Sequence, residues 1–225
     1  MKQVHGYWLP DREERVDEFL DESIALGRPA YQHEKLEAAL AITTQRRCAL
    51  DIGAHVGMWT LQLLQHGFGE ILAFEPDDEK HECFSRNIEE FGNQGGTVTL
   101  RQMGLGDREQ RVRIVHKTAT SLKTHVQPDK RGQLTIRTLD SIVGLDEVDF
   151  IKIDVEGFEL FVVIGAEQTI RANWPVIVVE QKVGVASERY QVGDLDAIRL
   201  LEAWGYTIHQ EMRGDFIMAP PAQIT

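Results

Sequence analysis

Short apolar runs alternate with amphipathic helical stripes along most of this chain, and that alternation constrains its fold more than any other feature. Cys48–Ile52, Glu70–Glu75, Thr97–Gln102, Val148–Asp154 and Val176–Glu180 read as strands. Between them lie helical stripes carried by Trp59, Leu61 and Leu64, by Phe84, Ile88 and Phe91, and by Glu159–Arg171. Parallel strands need crossovers, and crossover helices cover both faces of the sheet. Leu195, Ile198, Leu201 and Trp204 mark a last helix. Tyr206–Glu211 and Asp215–Ala219 then read as a hairpin joined at Met212-Arg213-Gly214. The expected class is α/β: a doubly wound, mostly parallel seven-stranded sheet with an antiparallel C-terminal hairpin. Arg111–Val115 and Leu134–Arg137 read as short excursions around a polar loop.

An N-terminal extension precedes this pattern. Pro10-Asp11 opens a helix with Val16, Phe19, Leu20 and Ile24 on one face, and Gly27 and Pro29 stop it. A second helix spans about His33 to Thr43, with Leu36, Ala39 and Leu40 inward. The expected division is residues 1–45 as a helical extension or lid and 46–225 as the ligand-binding domain. No apolar run approaches the ~20 residues of a membrane helix. Met1–Phe19 has no apolar signal core, and two cysteines make no disulfide framework, so a cytoplasmic location with reduced thiols is expected. Lys plus Arg is 24 against 36 Asp plus Glu, a net charge of −12, which disfavours a nucleic-acid partner. Lys123, Lys130, Arg131 and Arg137 cluster in sequence, a pattern that suits a solvated loop.

The sharpest local signal is Ala49-Leu-Asp-Ile-Gly-Ala-His-Val-Gly57: a strand, a tight turn and a helix start. Ligands of doubly wound sheets bind at the carboxyl ends of the strands. Gly53 permits a sharp turn and close approach, Gly57 permits helix-strand packing, and the helix N-terminus offers unpaired N–H groups. The dinucleotide fingerprint Gly-x-Gly-x-x-Gly is absent, because His55 holds the middle position. Glu75 ends the next strand, about 20 residues past the loop, where an ionised carboxylate accepts from two sugar hydroxyls. The lesser alternative is an acid that caps the following helix. Gln102-Met-Gly-Leu-Gly-Asp107 offers small residues for a flat base, with Met103 to pack on it. The missing glycine and the terminal hairpin tilt the reading from a nicotinamide dinucleotide to S-adenosylmethionine. Tyr31 and Lys35 form a Tyr-x-x-x-Lys pair, but upstream of the loop, where reductase chemistry does not place it.

Leu50-Asp-Ile-Gly-Ala-His-Val-Gly-Met-Trp-Thr60, Ala73-Phe-Glu-Pro76, Gly104-Leu-Gly-Asp107, Thr138-Leu-Asp-Ser141 and Asp149-Phe-Ile-Lys-Ile-Asp-Val-Glu-Gly-Phe-Glu159 together resemble the FkbM-like methyltransferases, class I enzymes that use S-adenosylmethionine. The resemblance spans roughly Tyr31 to Ala219. It implies that Asp51, Gly53 and Gly57 frame the methionine end of that cofactor, with Ala54, His55 and Thr60 as further cofactor contacts. Glu75 would hold the ribose, Met103 and Gly104 the adenine, and Pro76 is a further cofactor contact. Family members more often carry Asn at the position of His55, so its role as turn-former or substrate contact stays open.

Methyl transfer to a hydroxyl is an in-line displacement with loss of a proton. Lys152, Asp154 and Glu156 at the end of one strand, with Glu180 past the next, are the expected catalytic cluster, Asp154 foremost. Strand alternation puts the first three on one face. The same residues also suit a buried Lys152–Asp154 pair, a Glu156 helix cap, or a divalent ion held by Asp154, Glu156 and Glu180. His125, Tyr31 and Glu34 are candidate acceptor contacts, and Thr118–Leu134 a candidate pocket segment. The expected reaction is O-methylation of a small molecule or glycan. The alternatives are a nicotinamide-dependent oxidoreductase and a catalytically silent S-adenosylmethionine-binding module.

Overall fold

Cys48–Ile52 (β3) lies at the centre of the main sheet, and all five of its residues are buried. The computed structural model describes residues 1–93, 95–116, 124–142 and 146–221. On one side of β3 run Glu70–Phe74 (β4) and Thr97–Arg101 (β5), both parallel to their neighbours. On the other run Val148–Ile153 (β10) and Val176–Glu180 (β11), also parallel. Asp215–Ala219 (β13) pairs antiparallel with β11, and Thr207–Met212 (β12) closes the edge. The seven-strand order is β12-β13-β11-β10-β3-β4-β5. The expected sheet and its hairpin are therefore present. Arg213 and Gly214 both take positive φ, 55° and 87°, which matches the twist a two-residue hairpin turn requires.

Each face of the sheet is sealed by a separate core. Leu50, Ile52, Ile151 and Ile153 pack with Val162, Ile170, Ile198 and Leu201 of Glu159–Ile164 (α5), Glu167–Asn173 (α6) and Asp196–Trp204 (α8). Ala49, Ile71, Phe150 and Val178 point the other way, onto Leu36, Ala39 and Leu40 of His33–Leu40 (α2) and Leu63 and Leu64 of Met58–Gln65 (α3). Burial on both faces is why the central strands β3, β10 and β11 are mostly apolar instead of alternating. Asp78–Phe91 (α4) is capped by Asp77, whose side chain accepts from Glu79 N. It buries Phe84 against Ala54 and Ala73.

The structure departs from the sequence reading in several elements. Lys2–Val4 (β1) and Tyr7–Leu9 (β2) form a hairpin too short to show a period, so residues 1–45 are not purely helical. The first helix, Val16–Leu26 (α1), starts after Arg15 rather than at Pro10. α2 stops at Leu40, short of Thr43. The expected helix over Glu159–Arg171 is two helices broken at Gly165, where an added Cβ would lie 1.9 Å from the Gly106 carbonyl oxygen. Val185–Tyr190 (α7) went unread. The two excursions are parts of a second sheet. Gly104–Leu105 (β6), Gln110–His116 (β7), Thr124–Pro128 (β8) and Leu134–Arg137 (β9) stack in the order β6-β9-β7-β8. Its buried residues Val112 and Ile136 pack on Phe158. Lys123 and the first part of Thr118–Leu134 lie outside the described residues.

Two glycines set the turn that follows β3. Gly53 has φ +81°, and a Cβ there would lie 1.8 Å from the Asp154 carbonyl oxygen. Gly57 has φ +89°, and its Cβ would meet the Phe84 ring of α4 at 2.9 Å, so it makes room for a neighbouring helix rather than for the strand. Gly53→Ala is expected to cost more than ~3 kcal/mol or to abolish folding, because backbone cannot yield to it. Gly27→Ala, also left-handed but with nothing within 4 Å, should cost only ~1–2 kcal/mol in urea unfolding.

Candidate active site

The carboxyl ends of β3, β4 and β10 open into a solvent-accessible cleft. Its floor on one side is the turn after β3. Gly53 N and Ala54 N both donate to the Phe74 carbonyl, at 3.0 Å each. His55 sits in the left-handed region with φ 51°. Its N–H donates to Glu75 Oε2 at 3.0 Å, while Asp77 N donates to Glu75 Oε1 at 2.9 Å. The Glu75 side chain is thus fixed, with one backbone donor on each oxygen and acceptor capacity left over. Burial raises its pKa, against the pull of Lys80 and of the two N–H groups. Burial, and then Lys80 and Lys152, hold the His55 imidazole far below its usual pKa, so the ring is neutral. Gly53, Ala54, His55, Glu75, Pro76, Met103 and Gly104 all line the cleft.

Asp51, Gly57 and Thr60 do not line it. Asp51 is fully buried behind the turn, where Thr60 Oγ1 donates to its Oδ2 at 2.7 Å and Lys152 Nζ approaches its Oδ1 at 3.3 Å. Lys152 Nζ also donates to the Gly53 carbonyl at 2.7 Å and stands 3.8 Å from Asp154 Oδ2. Burial opposes the Lys152 charge, but Asp51 and Asp154 outweigh it and raise the pKa.

The expected one-face alternation does not extend past Ile153. β10 ends there, Glu156 turns left-handed with φ 58°, and Gly157 follows at 99°. The turn itself, not the pleat, brings the acids together: one oxygen each of Asp154, Glu156 and Glu180 lie within 4.8 Å of one another. Glu159 holds that turn. Its Oε1 accepts from Val155 N at 3.2 Å and Gly157 N at 2.9 Å, and its Oε2 from Gln181 Nε2 at 3.2 Å. Burial pushes the Glu159 carboxyl up to about 7.

Each acid faces a cation. Arg189 Nη1 is 3.0 Å from Glu156 Oε2, Lys182 Nζ is 2.5 Å from Glu180 Oε1, and Lys35 pairs with Asp215. Burial and then the Asp154 charge keep Glu180 protonated well above the usual carboxylic range. Burial works against the Asp154 carboxylate too, but Lys152, Lys182 and a hydrogen bond from Glu180 hold it ionised. The two carboxyls therefore titrate together, with Glu180 shifted up and Asp154 shifted down.

Tyr31 roofs the cleft, 4.5 Å from the Phe19 ring, and His125 enters from β8, edge-on to Tyr190. Glu34 is not at the site: α2 turns Leu36, Ala39 and Leu40 to the sheet and leaves Glu34 in solvent. Sequence reasoning passed over Glu159, Asp215, Gln181 and Arg189, and met Lys35 only as half of a Tyr-x-x-x-Lys pair. Glu159 stood inside the most specific motif; the others carried no local signal, because their partners lie 22 to 180 residues away.

The profile described as "Methyltransferase FkbM domain" matches residues 51–208. Methyltransferase FkbM from Methylobacillus flagellatus KT has the same fold, with TM-score 0.51, 20% identity, and coverage of 78% of this chain and 44% of that one. This chain thus spans less than half the length of that protein. A putative O-methyltransferase from Klebsiella pneumoniae matches at TM-score 0.54 and 18% identity, over 93% and 91% of the two chains. The O-methyltransferase from Bacillus cereus, solved in complex with SAH, matches at 0.52 and 19%, over 92% and 90%. No curated protein matches the sequence.

The Glu159 environment has a measurable consequence. Its folded-state pKa of about 7 exceeds the ordinary 4.5, so the native state binds the extra proton and this group's stabilisation is lost as pH rises from about 5 to 7. Glu159→Gln mimics the protonated form. The melting temperature of the variant should match wild type near pH 5 and exceed it at pH 8; equal pH slopes in both proteins would refute the assignment.

Proposed function

The chain belongs to the FkbM methyltransferase domain family, and from that premise we propose that it transfers a methyl group from S-adenosylmethionine to an oxygen of a small molecule or glycan. The observation that carries this reading is Glu75: a buried carboxylate at a strand tip, held by two backbone N–H groups, facing the cleft beside the Gly53–His55 turn. That arrangement fits a ligand with a vicinal diol. In this reading Glu75 takes the ribose hydroxyls, Pro76, Met103 and Gly104 flank the adenine, and Gly53, Ala54 and His55 border the methionine end. Bound there, S-adenosylmethionine supplies an electrophilic methyl on sulfur. Asp51, Gly57 and Thr60 act from behind, through Lys152 and the shape of the turn.

Asp154 receives or orients the acceptor's hydroxyl proton. It is the ionised member of its pair and a quarter exposed, with a 24% accessible side chain. Lys152 restrains it from one side and the protonated Glu180 from the other, while Arg189 holds Glu156 at the rim. Tyr31, Phe19 and His125 form the apolar walls that exclude water from the reacting atoms. A divalent ion at Asp154, Glu156 and Glu180 is a second arrangement of the same oxygens. It must displace Lys152, Arg189 and Lys182, which already face those acids, so the metal-free acid–base reading is the one we favour. The partner is a small acceptor and not a nucleic acid, given the net charge of −12.

Calorimetric titration with S-adenosylhomocysteine should give one site per chain, and Glu75→Ala should weaken it at least ~100-fold, the value of two charge-assisted hydrogen bonds. Absence of heat and of any thermal shift at millimolar ligand would overturn the reading. Asp154→Asn should leave that affinity within about twofold and lower turnover, measured as S-adenosylhomocysteine release from an acceptor pool, by ~10²-fold or more. Turnover retained in Asp154→Asn removes this residue from the mechanism, and turnover absent in wild type with binding intact indicates a silent module.

A further inference from the structure

Away from the cleft, His33, Glu37 and His66 converge where two helices meet. His33 opens α2 and Glu37 follows one turn later, so their side chains share a face. His66 caps the C-terminal end of α3. Glu37 Oε1 lies 3.6 Å from His33 Nδ1 and 3.1 Å from His66 Nε2, and one donor atom of each residue lies within 4.8 Å of the others. Ligands about 2.1 Å from a tetrahedral ion stand about 3.4 Å apart, close to both measured edges. His33 Nδ1 and His66 Nε2 are shielded from solvent and form no hydrogen bond of acceptable geometry. The backbone beneath them is rigid: Leu36, Ala39 and Leu40 of α2 share one hydrophobic cluster with Leu63 and Leu64 of α3.

We propose that His33, Glu37 and His66 bind a zinc-class divalent ion. Two imidazoles and one carboxylate are a borderline donor set that suits zinc and leaves a fourth position for water. Coordination through Nδ1 places the His33 proton on Nε2. Arg28, whose Nη2 donates to that nitrogen at 3.4 Å in the ion-free tautomer, gives up this contact and keeps Gln65 Oε1, also at 3.4 Å. The ion ties α2 to α3 just beyond Tyr31 and Gln32, where Gln32 Oε1 accepts from Trp59 Nε1 at 2.9 Å. It thereby braces the roof of the cleft without touching it.

The test is zinc titration by calorimetry on the full chain without an affinity tag, near neutral pH, with Co²⁺ absorption as the reporter of geometry. The expected result is about one ion per chain, four-coordinate Co²⁺ bands, and a raised melting temperature that chelator reverses. His33→Asn and His66→Asn should each weaken binding at least ~10-fold, while Asp154→Asn leaves it unchanged. If either histidine variant has altered circular dichroism, Glu37→Gln, at a half-exposed position, carries the same comparison. Less than half an ion per chain, affinity unchanged in the ligand variants, or binding lost in Asp154→Asn would each overturn the proposal. The last outcome would place the ion in the cleft.

Discussion

One buried ammonium group ties the two halves of the site together. Lys152 stands on β10 directly opposite Asp51 of β3 in the parallel register, and its Nζ reaches the Gly53 carbonyl, Asp51 and Asp154. A charge out of water is tolerated only where partners saturate it. Here the partners are the backbone of the turn after β3 on one side and Asp154 at the cleft on the other. Thr60 completes the set by satisfying the second oxygen of Asp51. Turn and acid are therefore linked through one ammonium group, hydrogen-bonded to the Gly53 carbonyl and ion-paired at 3.8 Å with Asp154.

The same ammonium group explains the division of protons. Asp154 stays ionised because Lys152 and Lys182 outweigh its burial, and its charge in turn helps keep Glu180 protonated. Two carboxyl groups in one desolvated space cannot both ionise freely, so their pKa values are driven apart. Glu159 supports this from beneath by fastening the turn that carries Glu156.

Much of this was legible locally. The runs at Cys48–Ile52, Val148–Ile153 and Val176–Glu180 are apolar because both sheet faces are covered, and apolar runs bounded by glycine and helical stripes are readable. The loop at Gly53 and the acid at Glu75 were readable for a related reason: turn chemistry and strand ends are written in adjacent residues. β8 was not. Thr124–Pro128 gains its strand conformation from pairing with β7, and no periodicity in five mixed residues announces that. The break at Gly165 was equally silent, since its cause is the backbone of Gly106, far off in sequence.

The sequence by itself determined the layer order, the position of the glycine turn after β3, and the presence of acids and a lysine at the strand ends, because each follows from short-range patterns of burial and turn geometry. Only the tertiary structure decided which acids meet, which keep a proton, and which positive group faces each. Asp215 reaches Lys35 across 180 residues, and Arg189 reaches Glu156 from a helix that the pattern did not reveal. Electrostatic energy depends on separation in space and on the water removed between charges, and neither quantity exists along a chain until the sheet has assembled.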